Sequence, residues 1–203
     1  LSGPLWRHER EELVRLVGTL VAHECQENGD SCRYRPYRQE LAFGQPGGDL
    51  PALEIEGPDG TRLQLRGLID RVDIDAGGGL RVIDYKSGST RFGLADIRAG
   101  RALQTALYAL AAERLLPDAH VVESHFLHLP TRKTSGEVQP SAGADEDEVI
   151  QAAVAAVTSF AAGARAGWFP LAGDQKGCAY CDAAALCRKD RRAHAKAGQA
   201  SRR

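Results

Sequence analysis

Residues 67–88, GLIDRVDIDAGGGLRVIDYKSG, restrict the possible folds more than any other part of the chain. Two apolar, β-branched runs flank the glycine-rich loop 75–79, which is the pattern of two strands joined as a hairpin. Each run has an aspartate in its middle, Asp70 in the first and Asp84 in the second, where a buried strand would favour an apolar residue. The two aspartates therefore need an explanation beyond strand formation.

A hairpin centred on Gly77 places Asp70 directly opposite Asp84, with Cβ atoms about 4.5–5.5 Å apart on one face of the sheet. Side chains alternate along a strand, so the same face also carries four apolar residues and one lysine. These neighbours are Leu68, Val72, Leu80, Val82 and Lys86. Two acids and a lysine thus share a face that is otherwise apolar.

Opposed carboxylates destabilise a sheet unless a cation compensates for their charge. Mg²⁺ or Mn²⁺ would do so, because these ions prefer oxygen ligands, retain water and accept phosphate oxygens. Lys86 would then lie beside the metal, where it could orient a water or counter charge on phosphorus. The alternative is a solvated face on which Asp84 and Lys86 form an ordinary surface pair, and a shift of one residue in register would also separate the acids.

The rest of the chain predicts an α/β domain. An amphipathic helix is expected over 6–24, an extended segment over 34–43, and a meander of short strands over 51–56, 62–74 and 80–86. A helix over 95–116 ends before Pro117, and a strand follows at 120–129. Asp145 and Glu148 have the spacing of a capping box for an alanine-rich helix that reaches Gly163 or Gly167.

The composition limits the number of domains, the partners and the cellular location expected for the chain. The 203 residues suit one domain, and a net charge of −1 provides no overall positive field for nucleic acid. Five cysteines without an apolar leader or long apolar run favour a reducing, cytoplasmic location with no membrane partner. The absence of methionine, even at the first residue, indicates a piece of a longer polypeptide.

The combination GLIDRVD, RVIDYKSG and QTALY resembles the nuclease domain of the RecB and AddB family, within the PD-(D/E)XK superfamily. The similarity covers roughly residues 35–190. It implies a restriction-endonuclease-like fold, with a mixed central sheet flanked by helices, and an Mg²⁺- or Mn²⁺-dependent exonuclease that acts on DNA in recombination and repair. It also implies a helicase domain or helicase–nuclease subunit as partner.

The resemblance assigns roles to individual residues. Asp70 and Asp84 correspond to the metal-binding acids, helped by the carbonyl of Tyr85, and Lys86 corresponds to the catalytic lysine. Gln104 and Tyr108 match the additional Q-x-x-x-Y motif, and their spacing puts both on one helix face. A core tyrosine with a strand-capping glutamine is the alternative for this pair.

A histidine that relatives carry upstream has no clear counterpart here, since neither His8 nor His23 lies in the expected context. This departure leaves a second function open. The chain could be a catalytically inactive, nuclease-like module that binds DNA or a partner subunit.

Cys178, Cys181 and Cys187 form a C-x₂-C-x₅-C run near the end of the chain. In similar relatives this run binds a [4Fe-4S] cluster that a distant upstream cysteine completes, and Cys25 or Cys32 could supply that ligand. Zinc with His194 is a weaker alternative, and reduced free thiols are the simplest one. The nuclease domain is thus expected over 1–190, with a cysteine-rich segment at 170–190 and a basic, flexible tail at 191–203.

Overall fold

The computed structural model describes residues 3–27, 33–48 and 50–168. It divides the chain into two compact units, Leu1–Ala162 and Gly163–Arg203, and the fold below is that of the first. Four helices are present in the described residues: α1 (Pro4–Glu27), α2 (Leu94–Arg98), α3 (Gln104–Leu115) and α4 (Glu148–Arg165). Over these same ranges, no helix has both the length and the apolar character needed to cross a membrane.

Seven strands form two sheets within the described residues. They are β1 (Tyr34–Phe43), β2 (Leu53–Glu56), β3 (Arg62–Leu65), β4 (Gly67–Asp75), β5 (Gly79–Lys86), β6 (His120–His128) and β7 (Lys133–Val138). The larger sheet has the order β1-β4-β5-β6-β7, and β2 pairs with β3 separately. In the larger sheet β5 and β6 are parallel, and the other pairs are antiparallel, so the central sheet is mixed as the sequence predicts.

Helix α3 covers the centre of the sheet and connects β5 to β6, as a crossover between parallel strands must. Its buried face consists mainly of small residues, including Ala106 and Ala109, which allow the helix backbone to approach the sheet closely. Val72 and Val82 lie in the same core and have almost no exposed surface. The helix that carries Gln104 and Tyr108 is therefore fixed against the strands that carry the two aspartates.

The predicted strand 62–74 is wrong as a single element. It is divided at Arg66 into β3 and β4, which belong to different sheets. Gly67 explains where the chain changes sheets, because a Cβ atom there would lie 2.6 Å from the ring of Phe43. Only glycine allows this close approach, and the continuous apolar pattern does not reveal it.

The predicted helix 95–116 is also interrupted. Helix α2 ends before Gly100, whose φ of +74° is costly for any residue with a Cβ, and α3 begins only at Gln104. Strand β7 was not predicted, since KTSGEV lacks the apolar alternation of the other strands.

The N-terminus of α4 is capped by a different residue from the one predicted. The carboxylate of Asp147 accepts hydrogen bonds from the backbone N–H groups of Val149 and Ile150, whereas Asp145 pairs with Arg114. The sequence DEDE offers two aspartates with nearly equivalent spacing, and the tertiary contact with Arg114 separates their roles.

Candidate active site

The register of the β4–β5 hairpin agrees with the sequence prediction. Arg71 pairs with Ile83 and Val72 pairs with Val82, as a hairpin centred on Gly77 requires. The turn is stabilised by Asp75, whose Oδ1 accepts hydrogen bonds from the N–H groups of Gly77 and Gly79. Asp70 and Asp84 consequently lie opposite each other, one residue beyond the last paired positions.

The two carboxylates differ in environment. Asp70 is partly exposed, and its Oδ2 accepts a hydrogen bond of 2.8 Å from the backbone N–H of Tyr85. Asp84 is only 4 % exposed, and its Oδ2 lies 2.5 Å from Lys86 Nζ. This contact is an ion pair without hydrogen-bond geometry, so the buried Oδ2 atom accepts no normal hydrogen bond. A metal ion at this oxygen would have to displace the ammonium.

Lys86 links the strand to helix α3. Its ammonium donates a 2.8 Å hydrogen bond to Oε1 of Gln104, and the Gln104 amide contacts the hydroxyl of Tyr108 at 3.5 Å. The ammonium also lies 4.8 Å from the centre of the Phe126 ring. In its described part, the structure therefore brings the predicted site residues together. They extend from Asp70 and Asp84 on the hairpin, through Lys86, to Gln104 and Tyr108 on α3.

Electrostatic conditions favour cation binding at Asp84. Burial raises the pKa of its carboxyl above the ordinary aspartate value, the charge of Asp70 raises it further, and the contact with Lys86 lowers it. Burial likewise raises the pKa of the Tyr108 hydroxyl, which therefore remains protonated at neutral pH. Burial and the charge of Asp70 therefore outweigh the compensation by Lys86.

We expect Asp84→Asn to raise the melting temperature of the metal-free chain at neutral pH. The raised pKa means that Asp84 favours the folded state below the pKa of an unfolded aspartate, and that this stability is lost as pH rises through the folded pKa. Asparagine resembles the neutral form at every pH. The advantage of the variant in thermal unfolding with EDTA should therefore increase between about pH 4 and pH 7.

Asp59→Asn is the control, because this substitution should change the stability of the chain in the opposite direction. Hydrogen bonds from Thr61 lower the pKa of the Asp59 carboxyl, so its removal should destabilise the chain most at neutral pH. A lower melting temperature for Asp84→Asn at neutral pH, or a difference that does not change with pH, would contradict the expected strain at Asp84.

The oxygen ligands fit a divalent metal that retains much of its hydration shell. Two opposed carboxylates lie at this position, and the buried Oδ2 of Asp84 has an ion pair with Lys86 but no hydrogen bond. Among residues 3–27, 33–48 and 50–168, no group of three or more His, Cys, Asp or Glu side chains has the arrangement of a metal site. The remaining ligands would have to be backbone, water or substrate oxygens, as is common for Mg²⁺.

A groove of about 680 Å³ opens beside Asp70. It is lined by Gln39, Glu40, Asp70, Arg71 and Tyr85. Glu40 was not identified from the sequence, although it lies between Gln39 and Leu41, which pair with the neighbours of Asp70. Its φ of +47° is unusual for glutamate and is the kind of strain that clusters at functional sites. A single acidic residue in a polar strand does not stand out in the sequence, whereas Asp70 and Asp84 do so among their apolar neighbours.

The other aspartate of the DRVD segment has a different role. Asp73 is fully buried and forms ion pairs with Arg71 at 2.6 Å and Arg81 at 2.8 Å. Arg71 also donates a hydrogen bond to the hydroxyl of Tyr85. These contacts hold β4 and β5 together next to the groove.

The three histidines of β6 have separate partners. His125 contacts Glu123, and His120 lies near Glu113. His128 is buried and bonds to the carbonyl of Gly88 and to the Ser135 hydroxyl. His128 thereby holds the segment that follows Lys86 against the neighbouring strands.

The cysteine prediction lies outside the described residues. Cys178, Cys181, Cys187 and the alternative zinc ligand His194 fall beyond residue 168, as do the predicted boundaries at 170, 190 and 191. Cys32 falls in the gap at 28–32.

A family model described as the PD-(D/E)XK nuclease superfamily matches residues 3–188, which is most of the chain. The chain belongs to the PD-(D/E)XK nuclease superfamily. Nucleases of this superfamily generally use divalent metal ions, in agreement with the oxygen-rich site. The fold predicted from the DRVD, DYK and Q-x-x-x-Y segments is thereby confirmed.

Curated relatives give a more detailed comparison. An ATP-dependent helicase/deoxyribonuclease subunit of Geobacillus kaustophilus is 40 % identical over 107 residues, or 50 % of this superfamily member. The proteins of the same name from Geobacillus thermodenitrificans and Desulforudis audaxviator are 43 % identical over 110 residues and 38 % identical over 121 residues, covering 53 % and 56 % of the chain. The matches cover only 9 % to 10 % of these relatives, so the chain spans about a tenth of their length.

Proposed function

We propose that this chain is the nuclease module of a helicase–nuclease and hydrolyses phosphodiester bonds in DNA. The observation that carries the proposal is the arrangement of Asp70, Asp84 and Lys86, in which two acids face each other across a hairpin beside an ordered ammonium. Membership of a nuclease superfamily and similarity to helicase/deoxyribonuclease proteins agree with it. The same similarity supports a role in DNA recombination and repair, and we propose a cytoplasmic location.

Asp70 and Asp84, together with the Tyr85 carbonyl, would hold Mg²⁺ or Mn²⁺. The bound cation supplies neutralisation of phosphate charge and a lower pKa for a coordinated water. Asp70 is kept in position by the Tyr85 N–H, and the buried Asp84 presents an oxygen whose partner in the metal-free chain is the Lys86 ammonium. The partial burial of the site keeps water from screening these charges.

Lys86 acts on the reacting groups, and Gln104 and Tyr108 position it. Lys86 Nζ positions the attacking water and stabilises negative charge on the phosphate, while Gln104 fixes the direction of the ammonium. Water attacks phosphorus and releases one proton to solvent, the bond from phosphorus to the leaving oxygen breaks, and that oxygen takes up a proton from solvent. Tyr108 keeps the Gln104 amide in place.

The direct test is cleavage of a labelled single-stranded oligonucleotide and of a circular single strand. We expect Mg²⁺ or Mn²⁺ to support degradation of the linear strand, EDTA to stop it, and excess Mn²⁺ to restore it. Degradation of the linear strand without cleavage of the circle is the result expected for an exonuclease. No cleavage with either ion would overturn the proposal in favour of an inactive module.

Metal binding has a readout that does not depend on turnover. We expect millimolar Mn²⁺ to raise the melting temperature of the wild-type chain by several degrees, because an ion that binds only the folded state stabilises it by mass action. The Asp84→Asn chain should show little further rise. An equal shift in both proteins would place the ion elsewhere.

We also propose a [4Fe-4S] cluster on Cys178, Cys181 and Cys187 in the longer protein, supported by their spacing. Anaerobically purified protein should then be coloured and contain about four iron atoms per chain, as a [4Fe-4S] cluster requires. A colourless, iron-free preparation would contradict the cluster.

A further inference from the structure

The edge strand β1 has a bulge that brings an aromatic and a basic side chain together. The pairing with β4 shifts between Pro36 and Arg38, so that Tyr37 and Arg38 both oppose Val72. Tyr37 packs on the core, and the guanidinium of Arg38 lies 4.1 Å from the centre of its ring. Arg38 also donates a hydrogen bond to the Tyr37 carbonyl, and its side chain is exposed. A flexible surface arginine is thereby held in one position.

A second exposed arginine follows along the same strand. Arg35 pairs with Ile74, and within the described ranges neither Arg35 nor Arg38 has a carboxylate partner. Arg33 differs in this respect, because it lies 3.8 Å from the carboxylate of Asp75. Arg35 and Arg38 are therefore the cations of β1 whose charge is available to an external anion.

These arginines form a line that leads to the active-site groove. Gln39 and Glu40, the next residues of β1, line the groove beside Asp70. Because a strand rises about 3.3 Å per residue, Arg38 lies about 7 Å and Arg35 about 13 Å from the level of Asp70 along β4. A ligand that approaches along β1 from the Arg35 end would thus meet both positive charges before it reaches the carboxylates.

We propose that the β1 surface formed by Arg35, Tyr37 and Arg38 binds single-stranded DNA and guides it to the groove at Asp70. The inference rests on the proposed function. Two arginines in a single line can contact successive phosphates of one strand, and the planar Arg38–Tyr37 pair offers a stacking surface for a base. A duplex carries its phosphates on two strands. The β1 surface offers one row of cations and therefore fits a single strand better than a duplex.

The test combines charge reversal with substrate length. Arg35→Glu/Arg38→Glu is compared with Arg10→Glu/Arg98→Glu, which makes the same change of charge at exposed positions of α1 and α2. Binding of a labelled oligothymidylate of about 20 nucleotides is measured by anisotropy in EDTA over a range of KCl concentrations. Thermal unfolding shows whether both variants remain folded.

We expect the β1 variant to bind at least about tenfold more weakly than the control variant, with a salt slope reduced by about 1.4, as two lost phosphate contacts require. With Mn²⁺ its KM for the long strand should rise while kcat stays within about twofold, because the surface binds substrate and does not touch the reacting atoms. A trinucleotide, which is too short to engage Arg38 and Arg35 together from the groove, should be affected less by the substitutions than the long strand.

Three results would overturn the inference: equal affinities of the two variants, an equal loss for a blunt duplex, or an equal loss for the trinucleotide. The proposed function is tested separately by cleavage with the wild-type chain. If the wild type cleaves DNA and the β1 variant binds normally, only the role of this surface is wrong. If the wild type does not cleave with either ion, the proposed function itself fails.

Discussion

Asp84→Asn should reduce the rate of DNA cleavage by about 1,000-fold or more. Metal ions stabilise the charge of a transition state by several kcal/mol, and each 1.36 kcal/mol corresponds to a factor of ten in rate. Asp84 provides the buried oxygen of the site, and an amide in its place loses the charge that holds the cation. The measurement is single-turnover cleavage of a labelled strand with saturating Mn²⁺.

Asp118→Asn is a suitable control for this experiment. Asp118 is exposed, lies in the turn after α3, and has a φ of +50°, a conformation that asparagine also tolerates. The control should cleave at the wild-type rate. Because Asp84→Asn is also expected to stabilise the metal-free fold, its loss of activity could not be attributed to unfolding. Cleavage at full rate in Asp84→Asn would remove the proposed mechanism.

The position of the two aspartates could be predicted because local features determine it. The glycine loop fixes the hairpin centre, and side-chain alternation then fixes the register, since a shift of one residue would expose Val72 and Val82. Likewise, the four-residue spacing of Gln104 and Tyr108 requires only that the segment be helical. These features depend on few residues that are close in sequence.

Features that depend on distant contacts were predicted less well. The sequence does not show that Gly67 must pass close to Phe43, or that Arg114 engages Asp145 and leaves Asp147 as the helix cap. The contribution of Glu40 to the groove also depends on the pairing of β1 with β4, which are separated by two other strands in sequence. These features are determined by tertiary contacts, which the periodicity of the sequence does not reveal.

Lys86→Met should separate metal binding from turnover. The Lys86 ammonium lies 2.5 Å from Asp84 Oδ2, so it competes with a metal for the oxygen that the metal requires. Removing the ammonium should therefore leave Mn²⁺ affinity unchanged or increase it. Cleavage should nevertheless slow by about 100- to 1,000-fold, the usual loss when one group that stabilises transition-state charge is removed.

The two active-site variants should thus differ in their thermal response to Mn²⁺, although both lose activity. Asp84→Asn should lose both the Mn²⁺-induced rise in melting temperature and the activity, whereas Lys86→Met should retain the rise and lose the activity, with KM nearly unchanged. Lys133→Met, at an exposed lysine of β7, is the matched control and should cleave normally. If Lys86→Met loses the thermal response to Mn²⁺ as well, the lysine helps to assemble the metal site and its separate role at the phosphate is wrong.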